Sequence, residues 1–441
     1  MTASDRTLGR DLRSWVDSAN DSRTDFPIQN LPFGAFERDA GEDARIGVAI
    51  GDRIADLPAM LDAGLLPSAD ESVRRACRES TLNALMSLGG SSIRALRSAV
   101  SDALSASGPM ARDTSMQRRI TLPASETRLL LPALVGDYTD FYASIEHATN
   151  LGSMFRPDNP LLPNYRWIPI GYHGRASSIV VSGTDVRRPL GQTRDGEKPP
   201  VFGPTSRLDY ELEVGAFIAR GNAQGARIPI DEAESHIFGL CLVNDWSARD
   251  IQSWEYQPLG PFLGKSFATT VSPWIVTLDA LAPYRVPARQ RAADDPRPLP
   301  YLFSERDRAA GGFAITLEVS LLSARMREAE MAPFRVSIAA FNEMYWTTAQ
   351  LIAHHTSNGC NLKPADLLAS GTISGPTAES RGSLIERTWR GTEPLTLPSG
   401  ETRAFLADGD EVIVRGWCER DGHPRIGFGE CRGRVVPAEP S

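Results

Sequence analysis

The chain has no run of about 18 uninterrupted apolar residues, and no apolar stretch follows the polar N-terminus MTASDRTLGRDLRSW. A spanning helix and a cleaved leader are therefore not expected, and the predicted location is cytoplasmic. Cysteines are few and odd in number: Cys77, Cys241, Cys360, Cys418 and Cys431, with no C-x-x-C spacing. This excludes zinc ribbons and disulfide scaffolds and fits buried thiols in a reducing compartment. Positive charge is also short, with 47 basic residues against 55 acidic ones and a formal charge of -8. No basic field is available for nucleic acid or an anionic membrane, so neither is expected as a partner. Lysine is scarcest of all, with only Lys198, Lys265 and Lys363 among the 47 basic residues. A lysine in such a chain is a candidate for a place where the planar head of arginine does not fit. The signatures G-x-x-x-x-G-K-[ST], G-x-G-x-x-G, G-x-S-x-G and H-E-x-x-H are all missing, which removes the common nucleotide, serine-hydrolase and zincin chemistries.

What is present is an ordinary globular balance: 441 residues, 41% hydrophobic and 23% charged, with 37 Gly and 32 Pro. At roughly one domain per 150 residues, two or three cores are expected. Residues 45–57 read as two short strands around a Gly-Asp turn, and 72–106 has helical spacing; this portion is expected to be a separate module. Beyond a Pro-punctuated stretch at 122–132, short β-rich runs alternate with Gly/Pro turns: SSIVVSG (177–183), YELEVGAFIA (210–219), IFGLCLVND (237–245), FAITLEVSLL (313–322) and DEVIVRGWC (410–418). The expected fold is mostly β, with a large domain of sandwich or roll type. Spacing predicts a helix over 335–355, and the Pro, Arg and Asp content of 285–311 predicts a solvated excursion. Asp408, Asp410 and Glu411 crowd one turn without the remaining ligands of an EF-hand, so a hairpin turn is predicted there.

In YELEVGAFIA the side chains alternate, so Glu211 and Glu213 share one face while Leu212, Val214 and Ala216 take the other. Asp245 ends the apolar run IFGLCLVND, where an unpaired charge would cost several kcal/mol and requires a cation. Asp140 lies in GDYTDFYASIEHATN, too polar for a core element and read as a site loop. If these four acids converge, an all-oxygen, thiolate-free set suits a hard cation, Ca²⁺ or Mg²⁺ rather than Zn²⁺. His147, seven residues after Asp140, is then a candidate general base; taken alone, a hydrogen-bonded structural histidine is the commoner case. The segment from Asn244 to Thr270 packs Arg249, Gln252, Tyr256 and Lys265 among aromatic and turn residues, and Arg249, Gln252 and Lys265 together offer donors to an oxyanion. LLASGTISG (367–375) runs from a buried strand into a Gly/Ser/Thr loop suited to a small anionic ligand, with Glu386 shortly after it.

With these residues in view, the chain resembles the fumarylacetoacetate hydrolase family nearly end to end. The resemblance rests on DFPIQNLPFG (25–34), IGVAIGD (46–52), DYTDFY and HATN (137–150), IGYHGRASSIVVSG (170–183), NDWSARDIQ and PLGPFLGKSF (244–267), HHTSNGCNLKPADLLASGTISG (354–375) and RIGFGEC (425–431). It implies a small SH3-like N-terminal barrel over 1–128, a catalytic β-roll over 129–441 and a homodimer. It also implies cleavage of 4-fumarylacetoacetate to fumarate and acetoacetate, the last step of tyrosine and phenylalanine catabolism. By the same resemblance Ca²⁺ falls on Asp140, Glu211, Glu213 and Asp245, and Mg²⁺ is contacted by Asp245, Lys265 and Thr269. His147 is the base oriented by Glu386, and Arg249, Gln252 and Lys265 stabilise the oxyanion. Tyr142, Arg156, Tyr172, Gln252, Tyr256 and Thr372 contact substrate. The alternative is a related diketo-acid hydrolase, decarboxylase or isomerase; such relatives generally lack the N-terminal module.

Overall fold

The computed structural model describes residues 5–39 and 41–439. Strands β1 (Phe33–Glu37), β2 (Arg45–Ile50), β3 (Arg53–Asp56), β4 (Thr121–Pro123) and β5 (Arg128–Leu130) form an antiparallel sheet in the order β4-β3-β2-β1-β5. Glycine at position 51, with φ of 56°, turns β2 into β3. Helix α1 (Leu57–Asp62) starts where the Asp56 carboxylate accepts from the Ala59 N–H, and α2 (Gly90–Leu104) presents Ile93, Leu96, Val100 and Leu104 to the interior.

Besides several two-stranded sheets, the rest of the chain supplies two more large ones. Their main strands are β6 (Tyr138–Phe141), β7 (Gly171–Gly174), β8 (Ile179–Val181), β9 (Leu212–Ile218), β10 (Ile237–Asp245), β11 (Thr269–Val271), β12 (Ile315–Leu322), β13 (Phe334–Ala340), β14 (Leu367–Ala369), β15 (Glu411–Arg420) and β16 (His423–Val436). The central sheet runs β7-β6-β14-β9-β10-β11-β8, with Val276–Thr277 as an eighth strand against β10. The other sheet runs β13-β12-β15-β16, with Val186–Arg187 at its edge. The molecule is mostly β.

The central sheet is covered on both faces, which is why β9 and β10 are buried at every position. On one face Leu212, Val214, Leu240 and Leu242 pack with Leu317, Val319, Val414 and Phe428 of the neighbouring sheet. On the other, Phe217, Cys241 and Val243 share a core with Phe33, Ile46 and Val48 of the N-terminal sheet. Phe33 and Ile275 exchange backbone hydrogen bonds of 3.0 and 2.8 Å, joining the two sheets. Glycine is required beside that junction, because a Cβ on Gly34 would lie 2.6 Å from the Pro273 carbonyl oxygen.

Helix α3 (Ile145–Phe155) follows β6 and begins at Ser144, whose hydroxyl accepts from the His147 N–H. Helices α4 (Arg249–Glu255), α5 (Thr348–His355) and α6 (Leu384–Arg387) complete the surroundings of the central sheet. Among the described residues no helix is long and apolar enough to cross a membrane.

Three local expectations are corrected. The predicted helix over 335–355 is strand β13 followed, after a short turn, by α5. Val336 and Ile338 are β-branched and lie on a strand that pairs with β12 through a bulge at Val336, and the helix waits for the Thr347/Gln350 capping box. Residues 285–311 are solvated only in part: Arg297, Arg306 and Arg308 are exposed, but Leu302 and Asp307 are buried and Arg285, Arg289 and Arg291 are held against the body. Arg285 stacks 3.9 Å from the Phe313 ring, and Arg291 lies 4.3 and 4.4 Å from the rings of Tyr345 and Trp346. The turn at 408–410 is not the hairpin. Asp410 is buried against Arg403 and the Ala407 N–H at the start of β15, and the hairpin joining β15 to β16 turns on Asp421–Gly422. Of the five cysteines, all free, only Cys360 is exposed.

Candidate active site

Neighbouring strands bring the four acids together. Asp140 on β6 lies across Ala369 of β14 from Gly215 of β9, and Glu213 is two residues along β9 on the same face. Ala369 and Gly215 carry almost no side chain, which leaves space between the carboxylates. Asp245, the last residue of β10, stands opposite Thr269 and its N–H meets the Glu211 carbonyl. One ligand atom from each of Asp140, Glu211, Glu213 and Asp245 lies within 4.8 Å of the others, and all four residues are buried. The loop after β14 closes on this group: the Gly371 N–H donates to Asp140 at 3.1 Å, with φ of 74° and no room for a Cβ beside the Phe141 carbonyl.

Donors reach three of the four acids. Lys265 donates to Glu211 and, at 2.9 Å, to Asp245. Tyr172 and Thr269 donate to the two oxygens of Asp245 at 2.6 and 2.9 Å, and Arg249 Nη1 is 2.7 Å from Glu211. Among the described residues no donor reaches either oxygen of Glu213. Burial and the neighbouring Asp140, Asp245 and Glu211 push the Glu213 carboxyl well above the usual range, and burial with Asp245 does the same to Asp140. Burial also raises Glu211, but Lys265, Arg249 and His147 outweigh it and hold that group below the usual range. Burial alone lowers the Lys265 ammonium, yet Asp245 and Glu211 raise it on balance, so it stays charged. Two of the acids are thus ill at ease without further positive charge. Orphaned oxygens in an all-oxygen set are what a divalent cation satisfies, so the residues present fit such an ion.

His147, on the first turn of α3, is buried and its Nδ1 is 2.6 Å from Glu386 Oε2. Glu386 also accepts from Asn150, Ser374 and Ser383 at 2.9, 2.9 and 2.7 Å. Burial raises this carboxyl, but His147 and the hydrogen bonds reverse the shift and keep it below its ordinary range. With Nδ1 committed, Nε2 is the ring atom left for proton transfer. The Tyr142 ring meets His147 edge-on at 5.2 Å between centroids, and Tyr165 donates to the Tyr142 carbonyl.

Arg249 Nη1 also donates to Gln252 at 3.2 Å, while its Nη2 is buried without a partner among the described residues. The Thr372 hydroxyl is likewise buried and unpartnered among the described residues. Two predicted residues lie apart from this group: Arg156 is exposed and donates to the Pro160 carbonyl, and Tyr256 is 41% exposed at the end of α4. Sequence reasoning missed Asp209, Asn150, Ser374 and Ser383. Asp209 carried the one available signal, an acid two residues before Glu211 in the run that leads into β9.

Residues 138–436 match the family model described as fumarylacetoacetate (FAA) hydrolase C-terminal, and residues 29–132 match the one described as fumarylacetoacetase N-terminal. The chain is 52% identical to the fumarylacetoacetase of Rattus norvegicus over 431 residues, covering 96% of this chain and 99% of the relative. With the fumarylacetoacetase of Homo sapiens the identity is 50% over 430 residues, at 96% and 99% coverage. Among solved structures, the fumarylacetoacetate hydrolase of psychrophilic Exiguobacterium antarcticum shares the fold at a TM-score of 0.50, with 17% identity and coverage of 92% of this chain and 99% of that one.

Proposed function

Because the chain belongs to the fumarylacetoacetate hydrolase family, we propose that it hydrolyses 4-fumarylacetoacetate to fumarate and acetoacetate, closing tyrosine and phenylalanine breakdown. It is an enzyme acting on a carbon–carbon bond. The observation that carries the reading is identity at about half of all positions to fumarylacetoacetases over nearly the full length of both chains.

In this reading Asp140, Glu211, Glu213 and Asp245 would hold Ca²⁺, and Asp245, Lys265 and Thr269 would face Mg²⁺. The unpaired oxygens of Glu213 support that assignment. A bound divalent ion supplies charge neutralisation and polarises the diketo oxygens of the substrate. The protein's own residues do the rest. His147 takes a proton from water at Nε2 while Glu386 holds Nδ1 and stabilises the imidazolium. The hydroxide attacks the carbonyl carbon of the bond to be broken. That bond opens with its electron pair passing to the acetoacetate fragment as an enolate, which is protonated last. Arg249, Gln252 and Lys265 hold the developing negative charge. Tyr142, Tyr172, Gln252 and Thr372 contact substrate near the carboxylates, and Arg156 and Tyr256 do so from the more exposed side.

Residues 1–128 form an SH3-like module and 129–441 the catalytic β-roll. The protein works in the cytoplasm, in keeping with its free thiols. It acts as a homodimer. The test is a spectrophotometric one. Purified enzyme should remove the diketo absorbance and release fumarate and acetoacetate in equal amounts; a different product or no turnover would refute the reading.

A further inference from the structure

Asp209 is fully buried, and its carboxylate is shared between two parts of the site. Its Oδ2 accepts from Arg249 Nε at 2.8 Å and from the Ile385 N–H at 3.1 Å. Its Oδ1 accepts from the Leu384 N–H at 2.7 Å and from its own neighbour's N–H at Tyr210, 2.8 Å. Leu384 and Ile385 open the short helix α6, whose next residue is Glu386. One carboxylate therefore fixes the guanidinium of Arg249 from behind and anchors the turn that presents Glu386 to His147.

The consequence for Arg249 is geometric. A guanidinium is a rigid planar fork, so fixing Nε to Asp209 and Nη1 to Glu211 sets the direction of Nη2. Nη2 is the one arm left buried and unpartnered. The consequence for Glu386 is similar. The first N–H groups of a helix have no partner of their own helix, and Asp209 supplies one for two of them, so the backbone of α6 cannot shift without breaking charge-assisted hydrogen bonds.

We propose that Asp209 is a positioning residue that sets the oxyanion arm and the base arm in register, with its carboxylate bridging Arg249 and the helix of Glu386. This rests on the hydrolase reading above. It assigns Asp209 no contact with the reacting atoms; its effect reaches the reaction through its two partners.

The test replaces the carboxylate with a group of the same size. Asp209→Asn keeps one carbonyl acceptor but turns an N–H donor toward a donor, Arg249 Nε or the α6 backbone. Wild-type turnover of fumarylacetoacetate first establishes the reaction itself, so its absence refutes the hydrolase reading and not this one. With turnover in hand, Asp209→Asn, confirmed folded by circular dichroism, should lower kcat about tenfold to a hundredfold with KM within about threefold, the pattern of a group needed in the transition state. Added to Asp209→Asn, Glu386→Gln and Arg249→Lys should each cost less than about half of the fold-change they cause in the wild-type background. A purely structural role would lower the melting temperature but leave kcat per folded enzyme within about twofold, and full additivity in both cycles would show that the arms are set independently; either result overturns the proposal. If Asp209→Asn yields no folded protein, Arg249→Lys carries the test. It keeps the charge but loses the Nε bond to Asp209, and it should cost at least about tenfold in kcat at near-constant KM, whereas a loss within twofold would contradict the proposal.

Discussion

Glu386 accepts hydrogen bonds from His147, Asn150, Ser374 and Ser383, so its charge is fixed in place before substrate arrives. His147 held in this way would lose little orientation freedom in acting as the proposed base. His147→Ala should abolish the chemical step while retaining much of the affinity for substrate. Glu386→Gln should lose less, though still several-fold, and the double variant should cost far less than the product of the two. A double-mutant cycle of kcat checks this, and full additivity would count against the pair. Lys265 is the second residue whose identity is constrained. It is buried between Glu211 and Asp245 and held charged by them, where the compact ammonium fits and the wider fork of arginine does not. Lys265→Arg should keep the fold yet lower kcat about a hundredfold, the scale of losing one oxyanion donor, with Lys265→Met at least as damaging. Values within twofold of wild type would reduce the lysine to an accident of composition.

At the scale of elements, the segment 285–311 is the main surprise. Arg289 pairs at 2.7 Å with Glu146, next to the base, and Arg291 stacks on Tyr345, which packs on Tyr165, whose hydroxyl holds the Tyr142 carbonyl. Removing Arg291 loosens a chain of contacts that ends beside His147. Arg291→Ala should therefore raise KM about three- to tenfold with a smaller change in kcat and lower Tm by a few degrees. Unchanged steady-state constants would confine Arg291 to the surface. The helix at 305–310 carries a second prediction. Burial pushes the Asp307 carboxyl up to about 6, although Thr347 donates to it. A folded value above the unfolded one, near 3.9, means that ionising Asp307 weakens the fold; the cost, about 3 kcal/mol, is full above pH 6 and disappears as pH falls toward 4. Asp307→Asn should thus gain Tm relative to wild type at pH 7.5 and show less gain at pH 5; a pH-independent difference would contradict it.

These elements also mark what a sequence can and cannot reveal. IFGLCLVND was legible to the residue because a strand buried on both faces is written as one apolar run, and Asp245 stood out as a charge at its end. The alternation of β9 placed Glu211 and Glu213 on one face for the same reason. The helix over 335–355 was misread because a short strand and a short helix abut there, and apolar spacing summed across both imitates one period. Stacked arginines at 285 and 291 are written like solvated ones, since their aromatic partners lie elsewhere in the chain. Asn150, Ser374 and Ser383 gave no signal: each is a short polar side chain whose meaning depends on Glu386, and for Asn150 that partner is distant in sequence.

At the scale of the whole molecule, the central sheet, covered on both faces, carries a buried cluster of acids whose burial the fold alone does not compensate. Charge without compensation destabilises the state that buries it, and anything that binds only the folded state stabilises it by mass action. Activity and thermal stability are therefore expected to rise and fall together with the bound ion. Metal-stripped enzyme should melt several degrees lower than enzyme returned to Ca²⁺ or Mg²⁺. The most direct test is turnover of fumarylacetoacetate by one preparation of the purified chain before chelation, after exhaustive chelation and after divalent cation is returned, with both products measured. The account predicts one fumarate and one acetoacetate per substrate, loss of turnover on chelation and its recovery on adding the ion back. Turnover that persists unchanged in the stripped enzyme, or products other than these two, would contradict it.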